Sequence, residues 1–383
     1  MLDAVALREV CYYFYVTVFE ATSGSFAEGF GSLNSNIVMM EKMFRVLLTA
    51  DFYDEKGQAK FADLGLSEFE AQPQIEHGTF VEHRQQIGPD QIADAQGVVV
   101  LTPAVTAESL SRPDNLIAIG RFGVGYDTVD VQACTDNDVV LYITSGAVDR
   151  SVAEATVGWM IALTHHVRAK DNLLRAGQWN RRTGYMGGEL RDRTLGLVGM
   201  GGIGRAVVRL LRGFEMNQPL VFDPYIDSAA AKEMGVRLVE LGELMKAADI
   251  VSVHCPLNDS TRDLIGAEQI ELMKPTSYLL NTARGGIVNE DALYRALQTN
   301  RIAGAALDCF VGEPITMPHR FGELENVLLA PHCIAWTDEM FRDIGHAACR
   351  GMVDLSLGRQ PNGVINREVF EHDSFQKKWK RMI

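Results

Sequence analysis

The segment Thr194-Leu195-Gly196-Leu197-Val198-Gly199-Met200-Gly201-Gly202-Ile203-Gly204 constrains this chain more than any other. It reads as a short apolar strand running straight into G-x-G-x-x-G. Arg205-Ala206-Val207-Val208-Arg209-Leu210-Leu211 follows with apolar residues at helical spacing. A second apolar strand, Leu220-Val221-Phe222, ends on Asp223. Each part has a mechanical role in dinucleotide binding. Gly199 permits a tight turn, Gly201 lets backbone approach a pyrophosphate, and Gly204 lets helix pack closely on strand. Gly202 and Ile203 open the helix, whose exposed N–H groups and positive end hold phosphate. Asp223, about 20 residues past the glycines, stands where an acid accepts both ribose hydroxyls of NAD. A lone glycine motif also fits a turn in other α/β proteins. Strand before, helix after and acid at this distance point to the cofactor.

A chain of 383 residues has room for two or three domains and a sizeable core. Its apolar and charged fractions, 47% and 22%, are those of a soluble globular protein. The net charge of -14 argues against nucleic acid or an anionic membrane surface as partner, though a locally basic site can still take an anion. Six cysteines are scattered without C-x-x-C, as in a reduced, cytoplasmic protein. His254-Cys255 and His332-Cys333 suggest metal ligands only superficially, because strand neighbours point to opposite faces; no metal site is expected. Residues 1–42 fit poorly with the rest and read as a disordered or loosely docked extension. Their apolar run, Val10 to Phe19, lacks a signal peptide's basic start and is too short to span a membrane.

From Met43 to Thr144, Phe44–Thr49, Val98–Leu101, Leu116–Ile119 and Val139–Ile143 read as buried parallel strands, with Ala104–Ser111 and Thr128–Asn137 as helices between them. Such alternation implies a doubly wound sheet. Ser151 to Trp179 reads as one long linking helix. The pattern then restarts with strands at Leu195–Val198, Leu220–Asp223, Val236–Val239, Ile250–Val253, Tyr278–Asn281, Ala303–Leu307 and Val327–Ala330, a helix at Glu290–Thr299, and a final helix at Asp338–Leu357. The expected fold is α/β: a Rossmann-type NAD-binding domain over 145–335, and a smaller flavodoxin-like substrate domain from 43–144 and 336–383.

Three charged residues stand at strand-to-loop junctions: Arg284, Glu313 and His332. Ligands of open α/β sheets bind beyond the carboxyl ends of the strands, so three such groups can converge on one crevice. Singly, each also reads as an ordinary loop residue. Together beside a nicotinamide they form a workable set. Arginine forks onto a carboxylate, histidine exchanges a proton near neutral pH, and glutamate orients the imidazole and favours its charged form.

With these segments in order, the chain resembles the D-isomer-specific 2-hydroxyacid dehydrogenases from Met43 to about Asn366. The resemblance rests on Gly123-Val124-Gly125-Tyr126-Asp127, Ser151-Val152-Ala153-Glu154, the Gly199–Asp223 unit, Asn281-Thr282-Ala283-Arg284-Gly285-Gly286-Ile287-Val288 and Pro331-His332. It implies that Arg284 holds the substrate carboxylate and polarises the 2-oxo group, with His332 as acid–base and Glu313 as its partner. Backbone at Val124 and Gly125 would receive the carboxylate. Asp308 would face the nicotinamide carboxamide, with His254, Pro256, Thr261, Thr282, Ala283 and His332 completing the cofactor site. Family members are typically homodimers joined through the cofactor domain.

Departures narrow the substrate. Leu101-Thr102-Pro103-Ala104-Val105-Thr106, at the expected substrate loop, has no basic residue, which disfavours a phosphorylated acid; Arg150 keeps that alternative open. Formate-oxidising branches carry glutamine at the position of Glu313 and asparagine at that of Val148, which disfavours formate. Trp336 replaces a small residue common after the catalytic histidine and reads either as a substrate-pocket wall or as core packing. Tryptophan also occurs there in a co-repressor branch, so an NAD(H)-sensing scaffold is the alternative from another class.

Overall fold

Short strands that are apolar on both faces can be buried only by pairing side by side under layers of helix. The computed structural model, which describes residues 43–383, contains two sheets built this way, with every strand pair parallel. The smaller holds β1 (Phe44–Leu48), β2 (Ile75–Thr79), β3 (Gly97–Val100), β4 (Ala118–Arg121) and β5 (Val140–Ile143) in the order β2-β1-β3-β4-β5. That is the flavodoxin-like order. The expected extension at residues 1–42 lies outside the described residues.

The larger sheet holds β6 (Leu195–Val198), β7 (Leu220–Phe222), β8 (Arg237–Leu238), β9 (Ile250–Val253), β10 (Tyr278–Asn281), β11 (Gly304–Leu307) and β12 (Val327–Leu329). Its order is β12-β11-β10-β9-β6-β7-β8. This is the dinucleotide-binding arrangement with one strand added at an edge. The order reverses between β6 and β9, which pair Val198 with Val253. The loops leaving these two strands diverge there and open the crevice where such sheets bind ligands.

Three expectations need correction. Ala104–Ser111 is not a helix. Ala104 and Val105 form parallel bridges to Gln86 and Val129, and Thr106 and Ser109 exchange side-chain-to-backbone hydrogen bonds that close a turn instead. Ser151 to Trp179 is not one helix. It divides into Asp149–Thr164 and Val167–Arg175 at His166, which has a left-handed φ of 53°. The β4 strand begins two residues later than expected, at Ala118. Among the elements with no counterpart in the sequence reading are β2 and the C-terminal helix Asp373–Met382.

The chain crosses between the sheets twice, before the helices Asp149–Thr164 and Asp338–Ser356. Their starts meet where Ser151 Oγ lies 3.4 Å from Thr337 Oγ1. The second helix packs on the smaller sheet. There the buried Tyr142 hydroxyl donates to Ala348 O at 2.5 Å, and a Cβ at Gly351 would lie 2.3 Å from the Tyr142 ring. Ile203, at the start of the glycine-loop helix, packs against apolar clusters of both sheets. Among the described residues no helix is long and apolar enough to cross a membrane.

Candidate active site

The glycine loop follows β6, and its geometry explains its composition. Gly199 has a φ of 95°, and a Cβ there would stand 2.7 Å from Cys255 N. A Cβ on Gly204 would stand 2.9 Å from Gly199 O, so helix and strand pack with no room for a side chain. Gly201 faces open space, with no atom within 4 Å of a Cβ placed on it. The helix Gly202–Leu210 begins with no side-chain cap, which leaves its first N–H groups for an anion. Asp223 closes the unit. One of its carboxylate oxygens accepts from Met200 N at 2.8 Å and the other from Tyr225 N at 2.9 Å. These features fit a dinucleotide: an open glycine, an uncapped helix start and a carboxylate fixed beside them.

Arg284 follows β10, Glu313 lies in the loop after β11, and His332 follows β12. The three strands are neighbours, so their carboxyl ends bring the three side chains into one row. Gly285 draws the first two loops together, since a Cβ there would lie 2.1 Å from the Phe310 carbonyl carbon. Phe310 N donates to Glu313 Oε1 at 2.6 Å, and Glu313 Oε2 meets His332 Nδ1 at 2.6 Å. Burial pushes the Glu313 carboxyl up, but the His332 bond, the Phe310 N–H and the charges of His332 and Arg284 outweigh it and hold it below its ordinary range. An ionised carboxylate only accepts, so Nδ1 of His332 carries the bonded proton and Nε2 is free to exchange one.

Arg284 reaches across to the other sheet. Its Nε donates to Asp127 Oδ2 at 2.6 Å and its Nη1 to Ala283 O at 2.7 Å. Nη2 lies over Gly125, 1.3 Å from where a Cβ would stand. The guanidinium therefore lies close over Gly125, the residue expected to help receive the substrate carboxylate.

The remaining expected cofactor residues line the loops of the larger sheet. Burial pushes His254 down to about 4, which leaves a neutral ring with Nε2 2.9 Å from Ser252 Oγ and an unpartnered Nδ1. Thr261 Oγ1 donates to Pro256 O at 2.7 Å and closes their turn. Thr282 Oγ1 lies 3.4 Å from Thr156 Oγ1, and Ala283 N donates to Asn281 Oδ1 at 3.1 Å. Asp308 is buried and accepts from Cys333 N at 2.9 Å and Ile334 N at 3.1 Å, which fixes the chain between His332 and Trp336. Trp336 is 58% exposed, so core packing does not account for it.

Sequence reasoning missed four residues here. Asp127 pairs with Arg284. Arg121, half-buried at the end of β4, has an unpartnered Nε and lies near Asp51, whose Oδ1 is also unpartnered. The Asp149 carboxylate packs on Gly202, 2.0 Å from where a Cβ would stand. Only Asp127 carried a signal, since it closes the Gly123–Asp127 motif. Arg150, the residue that kept a phosphorylated substrate open, is paired with Glu154 on its own helix.

The fold and the glycine loop define a two-sheet α/β protein with a dinucleotide site. Residues 157–333 match the family model described as D-isomer specific 2-hydroxyacid dehydrogenase, NAD binding domain. A glyoxylate reductase of Thermofilum pendens is 35% identical over 284 residues, which are 73% of this chain and 83% of that protein. A D-3-phosphoglycerate dehydrogenase of Methanocaldococcus jannaschii is 38% identical over 279 residues, 72% of this chain. The chain spans about half the length of that relative, at 53%. Among solved structures, a glyoxylate reductase from Paecilomyes thermophila superposes with a TM-score of 0.73 at 26% identity, covering 85% of this chain and 99% of that one. The D-lactate dehydrogenase of Aquifex aeolicus, complexed with NAD and lactic acid, gives 0.70 at 25% identity, covering 84% and 98%. The chain belongs to the D-isomer specific 2-hydroxyacid dehydrogenase family.

Asp308 generates a pH prediction. Burial pushes its carboxyl up to about 6, against the two backbone donors. An acid whose folded pKa is raised binds its proton more tightly when folded. Its burial therefore costs stability above pH 6, and the cost is relieved as pH falls from 6 toward 4. Asp308→Asn removes this dependence. The gain in Tm of the variant over wild type should be larger at pH 8 than at pH 5; an equal difference at both would remove the effect.

Proposed function

We propose that the chain is an NAD-dependent oxidoreductase that interconverts a 2-oxo acid and a D-2-hydroxy acid. The observation that carries this reading is the 2.6 Å His332–Glu313 pair on strand ends adjacent to that of Arg284, on the same sheet as the glycine loop. Residues 145–335 serve the cofactor, and 43–144 with 336–383 the substrate; the two separate sheets support that division. Bound NADH supplies the hydride. Val124 and Gly125 N–H groups receive the substrate carboxylate, and Arg284 binds it and polarises the oxo group. His332 Nε2 delivers the proton as negative charge develops on oxygen. Glu313 keeps the imidazole oriented through its bond to Nδ1. The similar D-lactate dehydrogenase complexed with NAD and lactic acid and the similar glyoxylate reductase support the same chemistry.

His332→Ala should lower kcat for oxo-acid reduction by roughly 10²–10⁴-fold, the range of general acid catalysis. Glu313→Ala removes the carboxylate that holds Nδ1, so kcat should also fall, with the imidazole no longer oriented. A near-normal rate in either variant overturns these roles. NADH binding should survive in both.

NAD(H) is preferred over NADP(H), because the fixed Asp223 carboxylate repels a 2′-phosphate and Pro224-Tyr225 add no cation. Comparing kcat/KM for NADH and NADPH decides this, with equal values counting against it. Asp223→Ser should narrow the gap.

We also propose a cytoplasmic homodimer. The five cysteines of the described residues are free thiols, as a reducing compartment leaves them. The segment after the Asp149–Thr164 helix exposes Leu174, Trp179 and Met186 by 67%, 62% and 82%, an apolar load suited to a second copy of the same surface. Sedimentation at micromolar concentration should give twice the chain mass, and Trp179→Glu should shift it to one chain. A monomeric wild type rejects the dimer.

A further inference from the structure

The exposed Trp336 ring belongs to a continuous run of aromatic contacts. It meets Phe341 edge-on at 5.3 Å between centroids, and Phe341 stacks on Phe61 at 3.9 Å. Phe61 stacks at 5.9 Å on Phe122, the residue directly before Gly123-Val124-Gly125. The run therefore joins the loop that carries His332 to the loop proposed to receive the carboxylate. Phe122 is buried, whereas Phe61 and Phe341 are half-buried, so the rings grow more exposed toward the catalytic histidine. Leu101 and Val124 pack against the same apolar cluster from the substrate loops.

The polar groups behind this wall bond to the protein itself, apart from Arg121 Nε and Asp51 Oδ1, which are unpartnered but closed off from solvent. Arg121 Nη1 donates to Phe122 O and to Val100 O, and burial with the nearby Arg284 charge pushes the guanidinium down to about 10. Asp51 Oδ2 accepts from both Thr102 N and Thr102 Oγ1. The loop 101–106 contributes no cation to neutralise a second anionic group. An anionic or strongly hydrated side chain would lose water here without a partner, while an apolar one would cover an exposed indole.

We propose that the substrate is a 2-oxo acid with a large apolar side chain, aryl or branched aliphatic, seated against Trp336 and flanked by Phe61 and Phe341. This rests on the oxo-acid reductase reading above and adds the side-chain class to it. Each methylene buried on such a wall favours the larger acid roughly fourfold. Glyoxylate has no side chain to place there, and a phosphorylated acid brings charge to an uncharged face.

The test is reduction of phenylpyruvate, glyoxylate and 3-phosphohydroxypyruvate with NADH by the full chain and by Trp336→Ala and Trp336→Phe. The expected result is a kcat/KM for phenylpyruvate at least tenfold above the other two. Trp336→Ala should lose that advantage by tenfold or more, with a smaller loss on glyoxylate than on phenylpyruvate and NADH affinity kept, and Trp336→Phe should largely keep it. Preference for glyoxylate or the phosphorylated acid overturns the side-chain class while leaving the reductase reading intact. Equal loss on all substrates in Trp336→Ala, with Trp336→Phe no better, also overturns it. Reduction of none of the three overturns the reductase reading, and this inference with it.

Discussion

The site depends on one contact between the two sheets: Arg284, from the end of β10, lying on the backbone of Gly125 and bonded to Asp127 at 2.6 Å. Without it, Arg284 and the Gly123–Asp127 loop are separate features of two α/β layers. With it, a cation is fixed over the backbone N–H groups proposed to take a carboxylate. Asp127 occupies Nε and the Ala283 carbonyl occupies Nη1, so Nη2 is the nitrogen held over Gly125. The pair is partly exposed, with side chains 25% and 39% accessible, so its worth lies in orientation more than in stability.

Close approach explains the glycines around this contact better than turn geometry does. A methyl group at Gly125 would overlap Arg284, and one at Gly285 would overlap the Phe310 carbonyl that precedes the Glu313 loop. A methyl at Gly199 would strike the chain leaving β9. Each glycine thus stands where two loops from different strands press together. The row of Arg284, Glu313 and His332 is narrow because its supporting backbones nearly touch. Relaxing any one approach moves a charged group relative to its partner, and such displacements are what catalysis tolerates least.

Much of this was legible in the sequence where the signal was local. The larger sheet's strands are short apolar runs ending in turn residues, and all seven appear at or within a residue or two of their expected places. The glycine loop and Asp223 were readable because every part lies within about 30 residues, as the motif requires. The β2 strand was not, since only Ile75 of Ile75-Glu76-His77-Gly78-Thr79 is fully buried; an edge strand with one core residue has no alternation to detect. The break at His166 was hidden because a non-glycine residue in the left-handed region carries no composition cue. The C-terminal helix did carry a signal, Phe375, Trp379 and Met382 at helical spacing, all buried. Asp127, Arg121 and Asp149 act through partners far away in sequence, such as the 157 residues between Asp127 and Arg284, and no local pattern reports such pairs.

A net charge of -14 and an anionic substrate are compatible because of where the charges sit. Screening confines an exposed charge to about 8–10 Å at physiological salt, so the distant surface acids contribute little at the crevice. What the proposed carboxylate would meet is local: Arg284 over Gly125, and Arg121, half-buried just before the same loop, close enough that the two guanidinium charges repel. Two cations held together need counter-charge, and Asp127 and Asp51 supply part of it. Asp127 is spent on Arg284 Nε, and Asp51 is turned toward Thr102 with one oxygen unpartnered. The site is therefore incompletely neutralised by its own residues. The carboxylate proposed to bind there would complete it, and a second anionic group on the same molecule would find no further cation in the loop between Leu101 and Thr106.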